Sequence, residues 1–219
     1  MSEGLAIASG LGLFAVAALT PGPSNILIVE TTMHRGRTSA LCLALGVSIG
    51  TCVWATATAV GTGALLATSP AYPVLVAVGA GYLAKLAYDS LARAIAGRLT
   101  IWGASDTPAK QGQARCTERP DRARMLVKGV LTSLSNPKSA LFWVSVMSVA
   151  ARPGAAPWAL SVFVGACTVL AVIIYGGFAV VFQIATVHAF LDRYRRTVFG
   201  VAGGLYLIFA GKVLASGLF

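Results

Sequence analysis

Two short segments carry the residues best suited to hold a small polar molecule. The first is Thr20-Pro21-Gly22-Pro23-Ser24-Asn25 and the second is Ser135-Asn136-Pro137-Lys138. Proline lacks an N–H and its ring clashes with the preceding helical turn, so Pro21, Pro23 and Pro137 each interrupt a helix. Gly22 adds backbone freedom to the first break. A half-helix that restarts after a break presents N–H groups and the positive end of its dipole, where a carboxylate docks. The carbonyls closing the preceding half-helix suit an ammonium group. Asn25 and Asn136 both donate and accept, and Lys138 brings a positive charge. Donors for a carboxylate beside acceptors for an amine are what a zwitterion requires. The hydroxyls of Thr51 and Tyr175 are further candidates for the same site, against the alternative of plain helix–helix contact.

These breaks lie inside apolar stretches. Of the 219 residues, 57% are hydrophobic and 11% charged, whereas an ordinary soluble domain is about 25% charged. A soluble fold this apolar would expose large sticky patches. An all-α, polytopic membrane protein accommodates the composition. A span needs about 20 mostly apolar residues, and six candidates run over 5–33, 40–67, 73–96, 126–151, 157–183 and 197–218. In lipid an unsatisfied backbone polar group costs about 2–7 kcal/mol. The peptides loosened by the breaks must therefore face protein or a wet cavity.

The breaks fall at matching places in the first and fourth spans. Gly79-Ala80-Gly81-Tyr82-Leu83 in the third span is echoed by Gly203-Gly204-Leu205-Tyr206-Leu207 in the sixth. Residues 1–96 and 126–219 then read as two related three-helix units, joined by a basic linker over 97–125. A unit with an odd number of spans reverses its partner, so the second unit is expected to be inverted. Paired interruptions in inverted repeats point to a midplane substrate site.

Charge follows the same plan. Arg35 and Arg37 follow span one, Arg98 to Arg124 follow span three with Arg93 and Lys128 at the adjoining span ends, and Arg193, Arg195 and Arg196 follow span five. The loops after spans two and four carry nothing basic and Arg152 alone. Basic loops lie on the cytoplasmic side, which puts both termini outside and the 97–125 linker in the cytoplasm. The net charge of +10 thus reads as topology in the cytoplasmic membrane, with the lipid bilayer and not nucleic acid as its partner. The N-terminus has Glu3 and no basic residue, so the first stretch reads as a retained span.

Other ionisable groups have paired readings. Lys138 at mid-depth costs about 2.5–3.5 kcal/mol to insert, so it meets either a substrate carboxylate or an internal acid, Asp89 or Glu30. Lys85 and Asp89 share a helix face and neutralise each other, or Asp89 carries a coupling proton; Glu30 is the second such candidate. The pairs Gly46/Gly50 and Gly200/Gly204 have G-x-x-x-G spacing, which permits close packing within the chain or in a homodimer. Gly46-Val47-Ser48-Ile49-Gly50 mimics a nucleophile elbow, but it lies in an apolar helix without a triad. His34 and His188 are isolated, Cys42, Cys52, Cys116 and Cys167 form no C-x-x-C pair, and no phosphate-binding loop occurs. Neither enzyme chemistry, metal nor cofactor is expected.

Thr-Pro-Gly-Pro-Ser-Asn with the following Ile-Leu-Ile-Val, Ala44-Leu45-Gly46 to Trp54, Gly81-Tyr82-Leu83, and Gly129-Val130-Leu131 through Asn136-Pro137-Lys138-Ser139-Ala140-Leu141-Phe142 resemble the LysE/RhtB amino-acid exporters. The resemblance covers nearly the whole chain outside the linker. It implies an inner-membrane exporter of amino acids or derivatives, coupled to the proton gradient, with Pro21, Gly22, Pro23, Asn25, Asn136, Pro137 and Lys138 at the family's motif positions. Three departures bear on substrate and coupling. Ser24 stands where asparagine is frequent, Thr51 where many members have aspartate, and Val144-Ser145-Val146-Met147 where Phe/Leu-Pro-Gln is usual. A metal-ion or other small-solute exporter would need a mid-membrane cluster of Asp, His or Cys. A non-transporting membrane scaffold would have no use for paired breaks.

Overall fold

The computed structural model describes residues 3–20, 22–66, 71–95, 121–150, 157–184 and 193–218. Within them the chain forms eight helices and no strand. The first broken element is α1 (Glu3–Leu19) followed by α2 (Pro23–Arg35), the two inclined by 50°. Two long helices follow, α3 (Arg37–Leu66) and α4 (Ala71–Ile95). The second broken element is α5 (Arg122–Leu134) followed by α6 (Pro137–Ala150), and the chain closes with α7 (Pro157–Val181) and α8 (Arg195–Leu218).

Local chemistry sets these boundaries. Asp121 caps α5 by accepting the Ala123 N–H at 3.0 Å, which satisfies one of the orphan donors at a helix start. The helix therefore begins at Arg122, inside the stretch assigned above to the linker; residues 97–120 lie outside the described residues. Gly36, at φ 80°, closes α2 with its N–H on the Thr32 carbonyl. Only glycine adopts that left-handed backbone cheaply, and α3 starts at the next residue.

Helix α3 over Arg37–Gly61 and α7 over Trp158–Val181 are each long and apolar enough to cross a membrane, and the bent α1–α2 pair meets the same measure taken together, as a broken span or a re-entrant loop. The remaining expected spans are less clear-cut for visible reasons. Helix α4 holds Lys85, Asp89 and Arg93, α5 holds Arg122, Arg124 and Lys128, and the apolar run of α6 is confined to Lys138–Met147.

Helices α4 and α8 lie along each other, as do α3 and α5, and α7 packs on both α3 and α1. Exchanging α1–α4 for α5–α8 maps the α1–α7 contact onto α5–α3, α1–α6 onto α5–α2, and α3–α6 onto α7–α2. Small residues make the tightest of these contacts. A Cβ on Gly46 would collide with the Leu126 carbonyl of α5, and one on Gly50 would lie 2.6 Å from Ser133 Cβ. The Gly46/Gly50 pair thus serves packing within the chain. Gly200 and Gly204 meet nothing within 4 Å, and it is Gly203 that packs, against Leu91 of α4 at 2.7 Å. On α8 the contact within the chain is thus made by Gly203, which the G-x-x-x-G spacing does not pick out, because consecutive glycines leave the contacting face undetermined.

The core holds Leu13, Ile28, Leu43, Val47, Leu83 and Met147, all fully or almost fully buried. At its centre Trp143 packs on Phe14, Phe142 and Phe163 with ring centroids 5.4, 5.9 and 6.5 Å away. Such pairs add about 0.5–1.5 kcal/mol each beyond area burial. They tie α1, α6 and α7 together on one side of the two breaks.

Candidate functional site

The two breaks meet at one cavity. Thr20, Gly22, Ser24 and Asn25 line it from the first break, and Asn136, Lys138 and Ser139 from the second. Thr51 of α3 and Tyr175 of α7 complete the polar lining, and Phe14, Phe142 and Trp143 form an apolar wall. The cavity is partly open, and the space in it that small solvent can reach is about 40 Å³, enough to hold water.

At the first break, Thr20 closes α1 by donating both its N–H and its hydroxyl to the Val16 carbonyl, at 2.9 and 2.6 Å. The side-chain amide of Asn25 folds back and donates to the carbonyls of Ala18 and Thr20 at 2.7 and 3.3 Å. The carbonyls expected to receive an ammonium group are thus already engaged by Asn25. Helix α2 starts differently. Its N-cap, Gly22, is extended at φ −147° and ψ 178°, and no side chain caps the helix. Ser24 and Asn25, buried in that first turn, bring amides to the cavity at the positive end of the helix dipole.

The second break reverses these roles. Asn136 accepts the Lys138 N–H at its Oδ1, 3.0 Å away, and its carbonyl accepts the Ser139 N–H at 2.9 Å. This is an asparagine N-cap followed by proline at the first helical position, where the missing N–H costs nothing. The start of α6 is therefore occupied by its own side chain. Lys138 reaches across to the other break, where a Cβ on Gly22 would lie 3.4 Å from its Nζ. No described carboxylate is within ion-pair distance of Lys138.

On the remaining walls, Thr51 donates to the Val47 carbonyl at 2.9 Å and its Oγ1 lies 3.5 Å from Ser133 Oγ. Tyr175 of α7 faces the same cavity. Behind the cavity, the Tyr82 hydroxyl of α4 donates to the Lys138 carbonyl at 3.1 Å, and the Tyr206 hydroxyl of α8 donates to Thr20 Oγ1 at 3.2 Å.

Of the residues picked from the sequence, Gly22, Asn25, Thr51, Asn136, Lys138 and Tyr175 are brought together. Pro23 is exposed at the start of α2, Pro137 opens α6, and Pro21 lies outside the described residues. The carboxylates considered for proton transfer are elsewhere. Asp89 pairs with Lys85 at 2.6 Å on an exposed face of α4, and Glu30 is exposed on α2. Thr168 donates to the Val164 carbonyl and faces an apolar groove between α3 and α7. Ser48, in the pseudo-elbow, is buried and donates to the Ala44 carbonyl of its own helix. Among the described residues, no group of three His, Cys, Asp or Glu side chains could hold a metal ion. Thr20 and Ser24 stand inside the first motif and Ser139 directly follows the second, and none of the three is singled out by the sequence as a candidate side chain. Phe14 and Trp143 carry no sequence signal that separates them from ordinary apolar helix residues.

The LysE type translocator family model matches residues 15–217, which takes in both breaks and every cavity-lining residue except Phe14. The chain belongs to this family. As a LysE-type translocator it is a membrane transport protein. It is 27% identical to the Escherichia coli membrane protein YahN over 213 residues, 95% of this chain and 88% of that protein. It is 30% identical to the Escherichia coli threonine efflux protein over 135 residues, 61% of each chain. A Pseudomonas aeruginosa membrane protein is 30% identical over 195 residues, 88% of this chain and 86% of the relative. No solved structure matches this translocator at a significant level.

Proposed function

We propose that this translocator exports a small neutral amino acid, or a close derivative, across the cytoplasmic membrane by alternating access. The observation that carries the proposal is the shared cavity, with Lys138 of one break set against the uncapped α2 terminus of the other. The substrate carboxylate binds between the Lys138 ammonium and the first-turn amides of α2. Asn25 uses its amide nitrogen on α1 and keeps its oxygen for the substrate ammonium. Asn136 uses its oxygen on α6 and keeps its nitrogen for the carboxylate. Thr51 and Tyr175 orient the remainder. A cavity with a cation and no carboxylate among the described residues that line it suits a neutral zwitterion better than a cationic amino acid. Similarity to a threonine efflux protein supports the same substrate class.

Breaks from opposite halves of the chain meet at one cavity, the arrangement that alternating access about a midplane site requires. Contacts that interchange when the halves are exchanged support two related units, read as inverted because each has an odd number of spans. In this reading both termini face outward and the basic 97–125 linker lies in the cytoplasm. Export is coupled to the proton gradient, with Asp89 and Glu30 acting from outside the cavity. The cavity-lining residues include no Cys, His, Asp or Glu, which favours an organic substrate over a metal ion.

Proteoliposome uptake, screened across neutral amino acids, tests the proposal. Lys138→Ala and Asn136→Ala should each impair transport of the substrate found. Normal transport by both variants would overturn the site assignment.

A further inference from the structure

We infer that Tyr82 and Tyr206 are a matched pair of positioning residues, each supplied by one half of the chain to fix the break in the other half. Tyr82 belongs to α4 and donates to the Lys138 carbonyl in the first turn of α6. Tyr206 belongs to α8 and donates to Thr20 Oγ1 at the end of α1. Thr20 passes the bond on, donating to the Val16 carbonyl at 2.6 Å. Each phenol has one proton, and each commits it to a residue that lines the cavity. The two tyrosines occupy equivalent places in the Gly-x-x-Tyr-Leu echo, yet their hydrogen bonds cross between halves.

Packing alone does not ask for these hydroxyls. Tyr206 is fully buried, and a phenylalanine would fill the same space without a polar group to satisfy. A buried hydroxyl is costly to leave unpaired, so Tyr206 holds its break in one place, and the half-buried Tyr82 does the same through its bond to the Lys138 carbonyl. Helices α4 and α8 lie along each other and therefore present both tyrosines from a single pair of helices. Tyr82 sets the backbone that aims Lys138, and Tyr206 sets the end of α1 on which Asn25 rests. Their role in transport rests on the function proposed above; the crossed pattern of restraint does not.

The test uses the full-length chain in membranes, with its four native cysteines replaced by serine. Single cysteines at Ser24 and Ser139 then report each break by their alkylation rate with N-ethylmaleimide. Loss of one neutral hydrogen bond corresponds to about a fivefold change in an opening equilibrium. Tyr82→Phe should speed alkylation about fivefold at Ser139→Cys and leave Ser24→Cys within about twofold. Tyr206→Phe should do the reverse. Thr20→Val, which removes the Tyr206 acceptor, should reproduce the Tyr206→Phe pattern. Equal acceleration at both positions means general loosening and overturns the assignment, as does no acceleration at either. Alkylation needs no substrate, so a chain that exports no amino acid would defeat the functional proposal without touching this result. Where transport is measurable, Tyr82→Phe should add no further loss in a Lys138→Ala background, the mark of a residue acting through Lys138. Additive losses would contradict it.

Discussion

The two breaks solve the same problem with opposite ends of an asparagine. Interrupting a helix in lipid frees carbonyls before the gap and N–H groups after it. At the first break Asn25 reaches backward and satisfies carbonyls of α1 with its amide nitrogen, while the start of α2 has no side-chain cap. At the second, Asn136 reaches forward and caps α6 with its amide oxygen. One break therefore offers a bare helix terminus and the other offers a lysine. Under the proposed function, the difference teaches that a pair of similar-looking motifs supplies complementary halves of a site: backbone dipole from one side, side-chain charge from the other.

Removing the charge should break this comparison most severely. Lys138→Ala is expected to raise the half-saturating substrate concentration by at least about tenfold, as expected for loss of a charge-assisted hydrogen bond worth about 1.5–3 kcal/mol. Lys138→Arg should recover part of the loss. Measured uptake by purified protein in liposomes decides this. Next comes Gly22→Val, whose side chain would crowd the Lys138 ammonium. It should weaken substrate binding several-fold with protein abundance unchanged, checked by uptake beside immunoblotting.

The asparagines sharpen the contrast. Asn25→Ala leaves carbonyls of α1 unpaired and should cost about 1–3 kcal/mol, whereas Asn136→Ala removes an N-cap worth about 1 kcal/mol. Serine should restore stability at Asn136, because serine caps helices well, and should not at Asn25, where the side chain must reach back to Ala18. Thermal unfolding in detergent distinguishes the two. The smallest difference is expected between hydroxyls. Thr51→Val should reduce uptake by about fivefold, roughly the worth of one hydrogen bond, while Thr168→Val, on the outer groove, should leave uptake unchanged.

The breaks, the all-helical class and the polar residues of the motifs were legible because proline, glycine and asparagine act locally. A missing N–H or a short amide has the same consequence wherever it falls in an apolar helix. The sequence could also pair the two motifs, since both lie inside apolar stretches. It could not say which end of each asparagine is used, because that depends on the direction from which neighbouring backbone approaches. Nor could it separate Phe14 and Trp143 from the other aromatics, or choose Gly203 over Gly200 and Gly204, since a uniformly apolar helix gives no facing signal. Tyr82 and Tyr206 were visible as a repeat and not as hydrogen-bond donors. Their acceptors lie 56 and 186 residues away along the chain.

The central claim is that both breaks enclose one substrate chamber. It is tested most directly by substrate protection of single cysteines at Ser24 and Ser139, using whichever neutral amino acid the uptake screen identifies. The account predicts that this amino acid slows modification at both positions with the same half-maximal concentration. Protection at one break alone, or at two clearly different concentrations, would contradict a shared site.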